Sequence, residues 1–357
     1  MDGSSRKRIK KAVTLADVGR DVGVSAMAVS AVINGTKTSS RISEETRQKI
    51  LEAAARLNYR PNMAARSLVS RRMNTLGVTT VFGGNQLNLY FLEVFDGIMA
   101  AANRHDQNIT VFTLADWQHM DRISRFCDGR IDGMILVAPM IERELVGQLP
   151  TSVPFVSLHS NEPIPGVIDL ESDENEGSYQ MVKHLIQEGH RRILVLVGPG
   201  NRTGSSRRLA GYRQALLDSG IGYDEDLVIE TDYTMDTARQ RLRDWMDAHR
   251  NEVIPDAVFC VNDLVAVACI ETLGEYGYRV PDDISVCGFD DTLVARTTHL
   301  SSVRQPLGEM GGRAVDILVE QIDAHLAQND RMERETRSTI LFPTQPVVRA
   351  STRKAKS

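Results

Sequence analysis

The run Thr14–Asn34, TLADVGRDVGVSAMAVSAVIN, allows few local folds, because its caps and glycines sit at fixed spacing. Thr14 is placed to cap a helix, and Asp17 three residues on completes a capping box. Leu15 and Val18 point to one side of that helix. Gly19 beside them is small enough for a second helix to cross closely. Gly23 ends the helix as a glycine with positive φ would. Val24 packs inward, and Ser25 caps a second helix that carries Val29, Val32 and Ile33. Two short helices about a glycine turn predict a helix-turn-helix.

A third helix follows. Ser43 caps it, Glu44 and Glu45 suit its positive N-terminal end, and Ile50, Ala54 and Leu57 form an apolar stripe. Then comes NYRPNMAARSL, residues 58–68. Pro61 stops the preceding helix. Asn62 suits the cap of a short new one, whose exposed large residue is Leu68. With these segments the chain resembles the lac-repressor/gal-repressor family of bacterial transcription regulators. The resemblance implies that the second helix reads a major groove and that a hinge helix enters the minor groove. Leu68 would wedge between base pairs, supported by Ala65 and Asn62, because apolar wedges unstack a step and kink the duplex. The DNA-contacting positions it implies are Thr14, Ser25, Ala26, Met27, Ala28, Ser30, Ala31, Asn34, Asn62, Ala65, Arg66 and Leu68.

The chain departs from that pattern in its reading helix. The positions expected to be exposed are Ala26, Met27, Ala28 and Ala31, and alanine has no hydrogen bond to offer a base edge. Ser30 and Asn34 remain for phosphate contacts. The longer segment GTKTSSRIS adds Thr36, Lys37, Ser39, Ser40 and Arg41 as backbone-contact candidates.

The net charge of −5 conceals a division. Residues 1–73 carry fifteen Lys/Arg against six Asp/Glu, near +9, which leaves the remainder near −14. A basic head on an acidic body attracts phosphate at one end and repels it at the other. No 18-residue apolar run predicts a membrane span, and no apolar segment follows the basic N-terminus as in a signal peptide. The four cysteines, Cys127, Cys260, Cys269 and Cys287, lack metal or redox spacing and read as reduced thiols. A cytoplasmic protein is expected.

From residue 75 onward, strand-like and helix-like runs alternate. The strands are expected at 75–81, 109–113, 133–137, 154–158, 193–197, 257–261 and 285–288. Helices are expected at 92–104, 177–188, 206–219, 237–250 and 263–276. Such alternation predicts parallel sheets covered on both faces, with ligands at the strands' carboxyl ends. GVIDLESDENE, residues 166–176, reads as a polar crossing between two subdomains. The segments HLIQEGHRRILVLVGP, RRLAGYRQAL, VFCVNDLVAVACIETLGEYGYRVPDDISVCGFDD and LFPTQPVVRAST extend the resemblance over about residues 13–352. It implies a helix-turn-helix head at 1–61, a hinge at 62–74 and a periplasmic-binding-protein type 1-like α/β body at 75–349. The body would be two doubly wound parallel-sheet subdomains, 75–168 with 300–330 and 169–299 with 331–349, followed by a short tail.

The resemblance also implies an effector site. Arg208 would grip a ligand hydroxyl or carboxylate. Asn262 and Asp290 would be strand-end polar ligands, Phe91 and Tyr233 aromatic walls, and Arg202 a further arginine. Asn262 and Asp290 also suit helix caps, and Phe91 also suits core. His159 in VSLHSN stands where many relatives have an acidic residue, which weighs against a simple sugar. The expected partners are double-stranded operator DNA, a small polar effector and a second copy of the chain, with no cofactor and no metal. A solute-binding protein shares the body but not the basic head. An enzyme would rest on the loop GPGNRTGSS, which lacks the lysine of a phosphate-binding loop and the GxGxxG spacing. No GxSxG, HExxH or metal spacing is found.

Overall fold

The structure is a computed structural model that describes residues 13–34, 42–60, 72–81, 88–118, 120–142, 144–250, 253–327 and 339–355. The chain divides into two compact units, Met1–Arg72 and Met73–Ser357.

In the first unit, helices α1 (Leu15–Val22), α2 (Ala26–Asn34) and α3 (Glu44–Arg56) enclose a small core of Val18, Val29, Val32, Ile50 and Ala53. The capping box forms as the spacing predicts. Asp17 N donates to Thr14 Oγ1 at 3.3 Å, and Thr14 N donates to Asp17 Oδ2 at 3.0 Å. Gly23 has φ of 80°, and a Cβ on Gly19 would lie 2.5 Å from the Val24 carbonyl oxygen. Those two glycines set the sharp turn and the close crossing of a helix-turn-helix.

The second unit holds two six-stranded sheets. In chain order its elements begin β1 (Thr75–Val81), α4 (Leu89–Arg104), β2 (Asn108–Leu114), α5 (Met120–Phe126), β3 (Gly133–Val137), β4 (Phe155–Leu158) and β5 (Ile168–Ser172). Next come α6 (Glu174–Gln187), β6 (Ile193–Val197), α7 (Thr203–Leu217), β7 (Val228–Glu230), α8 (Met235–Ala248), β8 (Ala257–Cys260), α9 (Asp263–Glu275) and β9 (Ser285–Asp290). Last are α10 (Leu293–Thr297), β10 (Ser301–Arg304), α11 (Leu307–Leu326), β11 (Thr339–Phe342) and β12 (Gln345–Val347). The first sheet is parallel throughout, in the order β11-β5-β4-β3-β1-β2. The second runs β12-β10-β9-β8-β6-β7 and is parallel except for β12.

The subdomain boundaries differ from those expected. Residues 168–172 are a strand of the first sheet rather than a crossing. Its charges are accommodated individually: Asp169 accepts from Ser157 Oγ at 2.6 Å, and Glu171 pairs with Arg207 at 2.8 Å. Residues 301–304 stay in the second sheet, and 339–342 return to the first. The chain therefore crosses three times, after β5, β10 and β11, each time at a strand's carboxyl end.

Helices α4 and α11 cross so closely that side chains are excluded. A Cβ on Gly97 would lie 1.8 Å from the Gly308 carbonyl oxygen, and one on Gly311 would lie 2.1 Å from that of Val94. Gly97→Ala is expected to destabilise the body by about 2–3 kcal/mol through overpacking. The readout is a lower urea midpoint at unchanged slope. Gly312→Ala, where the nearest backbone atom is 3.7 Å away, should stay near wild type.

Candidate ligand cleft and reading helix

The carboxyl ends of both sheets bring polar groups to a shared cleft. Arg208, on the first turns of α7, is buried there. Its Nε and Nη2 donate to Glu174 Oε1 at 3.1 and 2.7 Å, Nη1 donates to the Val261 carbonyl, and Nη2 lies 3.6 Å from Asp290 Oδ1. The guanidinium sits 4.0 Å over the Phe289 ring. Burial opposes its charge, but Glu174 and Asp290 outweigh burial and strengthen its hold on the proton. Burial likewise opposes ionisation of Glu174, and Arg208 more than compensates, so this carboxyl titrates below its ordinary range. Asp290 is pushed up to about 6 by burial, against the pull of Arg208.

A second set of contacts connects the subdomains. Tyr90 Oη is 2.7 Å from His159 Nδ1, and His159 Nε2 is 2.8 Å from Ser172 Oγ. Ser172 Oγ donates to Gln305 Oε1, and Gln305 Nε2 donates to Asp290 Oδ1 at 2.6 Å. Ser172 and Gln305 stand at two of the crossings. Burial lowers the His159 pKa and favours the neutral ring.

Of the expected cleft residues, Asn262 and Asp290 line one cavity, while Arg208 and His159 stand behind it through Asp290 and Tyr90. A cavity of about 20 Å³ is lined by Asn88, Leu89, Tyr90, Asn262, Asp263, Leu264, Asp290 and Thr292. Asn262 also caps α9, accepting from Val265 N at 2.7 Å while donating to the Tyr233 carbonyl at 3.1 Å. The Tyr233 ring covers Gly198 at the end of β6. Arg202 is half-buried at the N-cap of α7, and burial depresses its pKa. Phe91 is a correction. It is 4% exposed in the first subdomain's core, stacked on Phe95 at 5.4 Å. A one-residue step turns a helix by about 100°, and Tyr90 is the residue on the cleft. Sequence reading also missed Glu174, Ser172 and Gln305. Only the position of Glu174 beside a crossing gave a signal.

The loop GPGNRTGSS has its serine hydroxyls and the Thr203 amide engaged by protein groups. Ser205 Oγ donates to the Gly198 carbonyl at 2.8 Å, Ser206 Oγ donates to that of Gly200 at 3.2 Å, and Thr203 N donates to Asn161 Oδ1 at 2.9 Å. That last bond joins the subdomains, as does Glu93, which accepts from Leu293 N at 2.9 Å and Arg296 Nη2 at 2.7 Å. Among the described residues no group of three or more His, Cys, Asp or Glu suits a metal. No described helix is long and apolar enough to cross a membrane.

On the head, Met27 is 77% exposed and Ala26 is exposed, while Ala28 is half-buried. Ala31 is a second correction: it is buried, at 6% exposed, and is not offered to a groove. Ser25 Oγ accepts from Ala28 N at 3.2 Å, which leaves its proton free to donate. Asn34 Nδ2 donates to Ser30 Oγ at 3.0 Å, and the Thr14 hydroxyl donates to Asp17 at 2.7 Å. Thr36, Lys37, Ser39, Ser40, Arg41, Asn62, Ala65, Arg66 and Leu68 lie outside the described residues.

Comparison with known proteins agrees with both units. Residues 14–62 match bacterial regulatory proteins, lacI family, and residues 182–352 match the periplasmic binding protein-like domain. The HTH-type transcriptional regulator CelR of Thermobifida fusca is 33% identical over 350 residues, 94% of this chain and 98% of CelR. Among solved structures, a transcriptional regulator CelR–cellobiose complex aligns with a TM-score of 0.68 at 29% identity, covering 95% of this chain and 99% of that one. The lac repressor dimer bound to operator and the anti-inducer ONPF aligns with a TM-score of 0.80 at 26% identity, covering 96% and 99%. The chain belongs to the lacI family of bacterial regulatory proteins. It is a DNA-binding, ligand-responsive transcription regulator.

Two expectations follow from the cleft. Arg208→Met strands a buried carboxylate and should cost about 3–5 kcal/mol of stability, whereas Arg208→Met with Glu174→Gln should recover most of it. Chemical denaturation of wild type, Arg208→Met, Glu174→Gln and the double variant checks this. Burial also raises the Asp169 pKa to about 7, above its unfolded value of about 4. The folded state then binds more protons than the unfolded state between those values, so this residue's contribution to stability falls as pH rises through that window. Asp169→Asn should flatten the decline in stability between pH 4 and 7, read from urea midpoints.

Proposed function

We propose that the protein is a cytoplasmic, non-enzymatic repressor that binds a pseudo-palindromic operator as a dimer. Helix α2 enters the major groove and the segment around Leu68 the minor groove. A small polar effector in the cleft alters DNA affinity. The observation that carries the effector reading is the convergence of Tyr90, Asn262 and Asp290, from both subdomains, on one cavity. Its volume is little more than a water molecule needs, so the effector enters by parting the Glu93–Arg296 and Asn161–Thr203 contacts. Arg208 is neutralised by Glu174 and Asp290, which favours an uncharged, hydroxyl-rich ligand over an anion. The CelR–cellobiose complex is a precedent for a carbohydrate in a similar chain.

Footprinting of the full-length protein on genomic fragments, with and without cellobiose and other neutral saccharides, tests this reading. A two-fold symmetric site whose occupancy one saccharide changes supports it, and an asymmetric monomeric footprint refutes it. Leu68→Ala should lower operator affinity and reduce the bend in a gel-shift comparison, with the body folded as before. The wedge otherwise offsets an unstacking cost of a few kcal/mol. Equal affinity and bend would remove the hinge from the mechanism.

A further inference from the structure

Helix α2 carries no arginine, lysine or glutamine, and its single asparagine, Asn34, is the last residue of the helix, so the N-terminal turns hold none of the usual bidentate readers of guanine and adenine. The tertiary structure narrows the choice further. Ala31, Val29 and Val32 are buried in the head. Asn34 Nδ2 donates to Ser30 Oγ at 3.0 Å and Asn34 Oδ1 is buried, so this amide does not present both groups to a base. The Ser25 and Ser30 hydroxyls accept from Ala28 N and Asn34 Nδ2 and keep a proton to donate, but a lone hydroxyl serves either base and selects little. Ala26 and Ala28 end at Cβ. Met27 is the one large side chain of this helix that stands in solvent, 77% exposed. It contributes nothing to the core of Val18, Val29, Val32, Ile50 and Ala53.

A base-pair edge in the major groove offers one apolar feature, the thymine 5-methyl group. A thioether chain is unbranched and polarizable, and it adapts to an apolar contact without needing a donor or acceptor. We propose that Met27 is the specificity-determining residue of α2 and recognises the 5-methyl group of a thymine at one fixed place in each half-site. This rests on the reading above that α2 faces the groove. It goes beyond that reading by naming the residue and the chemical group it selects.

The test uses full-length protein and a duplex recovered by selection from a random-sequence pool at fixed salt. Each dT is replaced in turn by dU, which removes only the methyl. Wild type should lose about three- to fivefold in affinity at one position, mirrored in the other half-site, as expected for one buried methyl. Replacement in both half-sites should multiply these losses. Met27→Ala should bind the dT and dU duplexes equally, at about the affinity of wild type for the dU duplex. Retained helical circular dichroism and an unchanged melting curve would show the variant folded. The proposal is overturned if no outer half-site position responds to dU, or if the response survives in Met27→Ala. Either result leaves operator binding itself standing. Failure to recover any preferred duplex would instead defeat the operator reading, and the assignment of Met27 with it.

Discussion

The buried Arg208–Glu174 pair is the interaction on which the cleft depends. Glu174 begins α6 directly after the first crossing, and Arg208 lies on α7, which packs along α6. The pair therefore fixes the start of the second subdomain against the helix that borders the cleft. Removing both ions from water is costly, and that cost is offset only because nearly every donor has an acceptor. Arg208 reaches Glu174 twice, the Val261 carbonyl once, and approaches Asp290, with the Phe289 ring beneath it. Asp290 is left partly compensated, and its raised pKa expresses that shortfall.

Around this pair, polar contacts pass through the crossings themselves. Tyr90 and His159 belong to the first subdomain, Ser172 and Gln305 to the linking segments, and Asp290 to the second. A change in the angle between the sheets must disturb bonds in this series, since the crossings are where the backbone would bend. Such a connection gives a ligand touching Tyr90 or Asp290 a physical route to the relative placement of the subdomains. It acts only through differential contacts in the two arrangements.

The head solves a different problem with little material. A core of five small or medium apolar residues, with partly buried side chains such as Leu15, Val24, Ile33 and Leu57 packed against it, holds three helices. The capping box at Thr14 and the cap at Ser43 tie down helix ends that packing alone would not secure. The same economy leaves Thr14 committed to Asp17 and Asn34 to Ser30. Of the candidate polar contacts on the described part of the head, the Ser25 and Ser30 hydroxyl protons and the second Nδ2 proton of Asn34 remain to be donated.

Local signals in the chain settled much of this. Caps and glycines at 14–25 specified the helix-turn-helix, since cap and turn chemistry acts over a few residues. The apolar runs at 75–81, 133–137 and 193–197 specified strands buried on both faces, and these match the observed bounds. Asn262 and Asp290 were legible as cleft candidates through resemblance and their strand-end positions, and Arg208 through resemblance and its place near the start of a helix. Tertiary structure decided the rest. IDLES is a strand because Ser157, the Ser160 amide and Arg207 meet its charges, and those partners are remote in sequence. TILF and QPV are too short to announce which sheet they join. The exchange of Phe91 for Tyr90 at the cleft, and the burial of Ala31, turned on helix rotation against a neighbour. Periodicity reports which residues share a face, but only packing determines which way that face is turned.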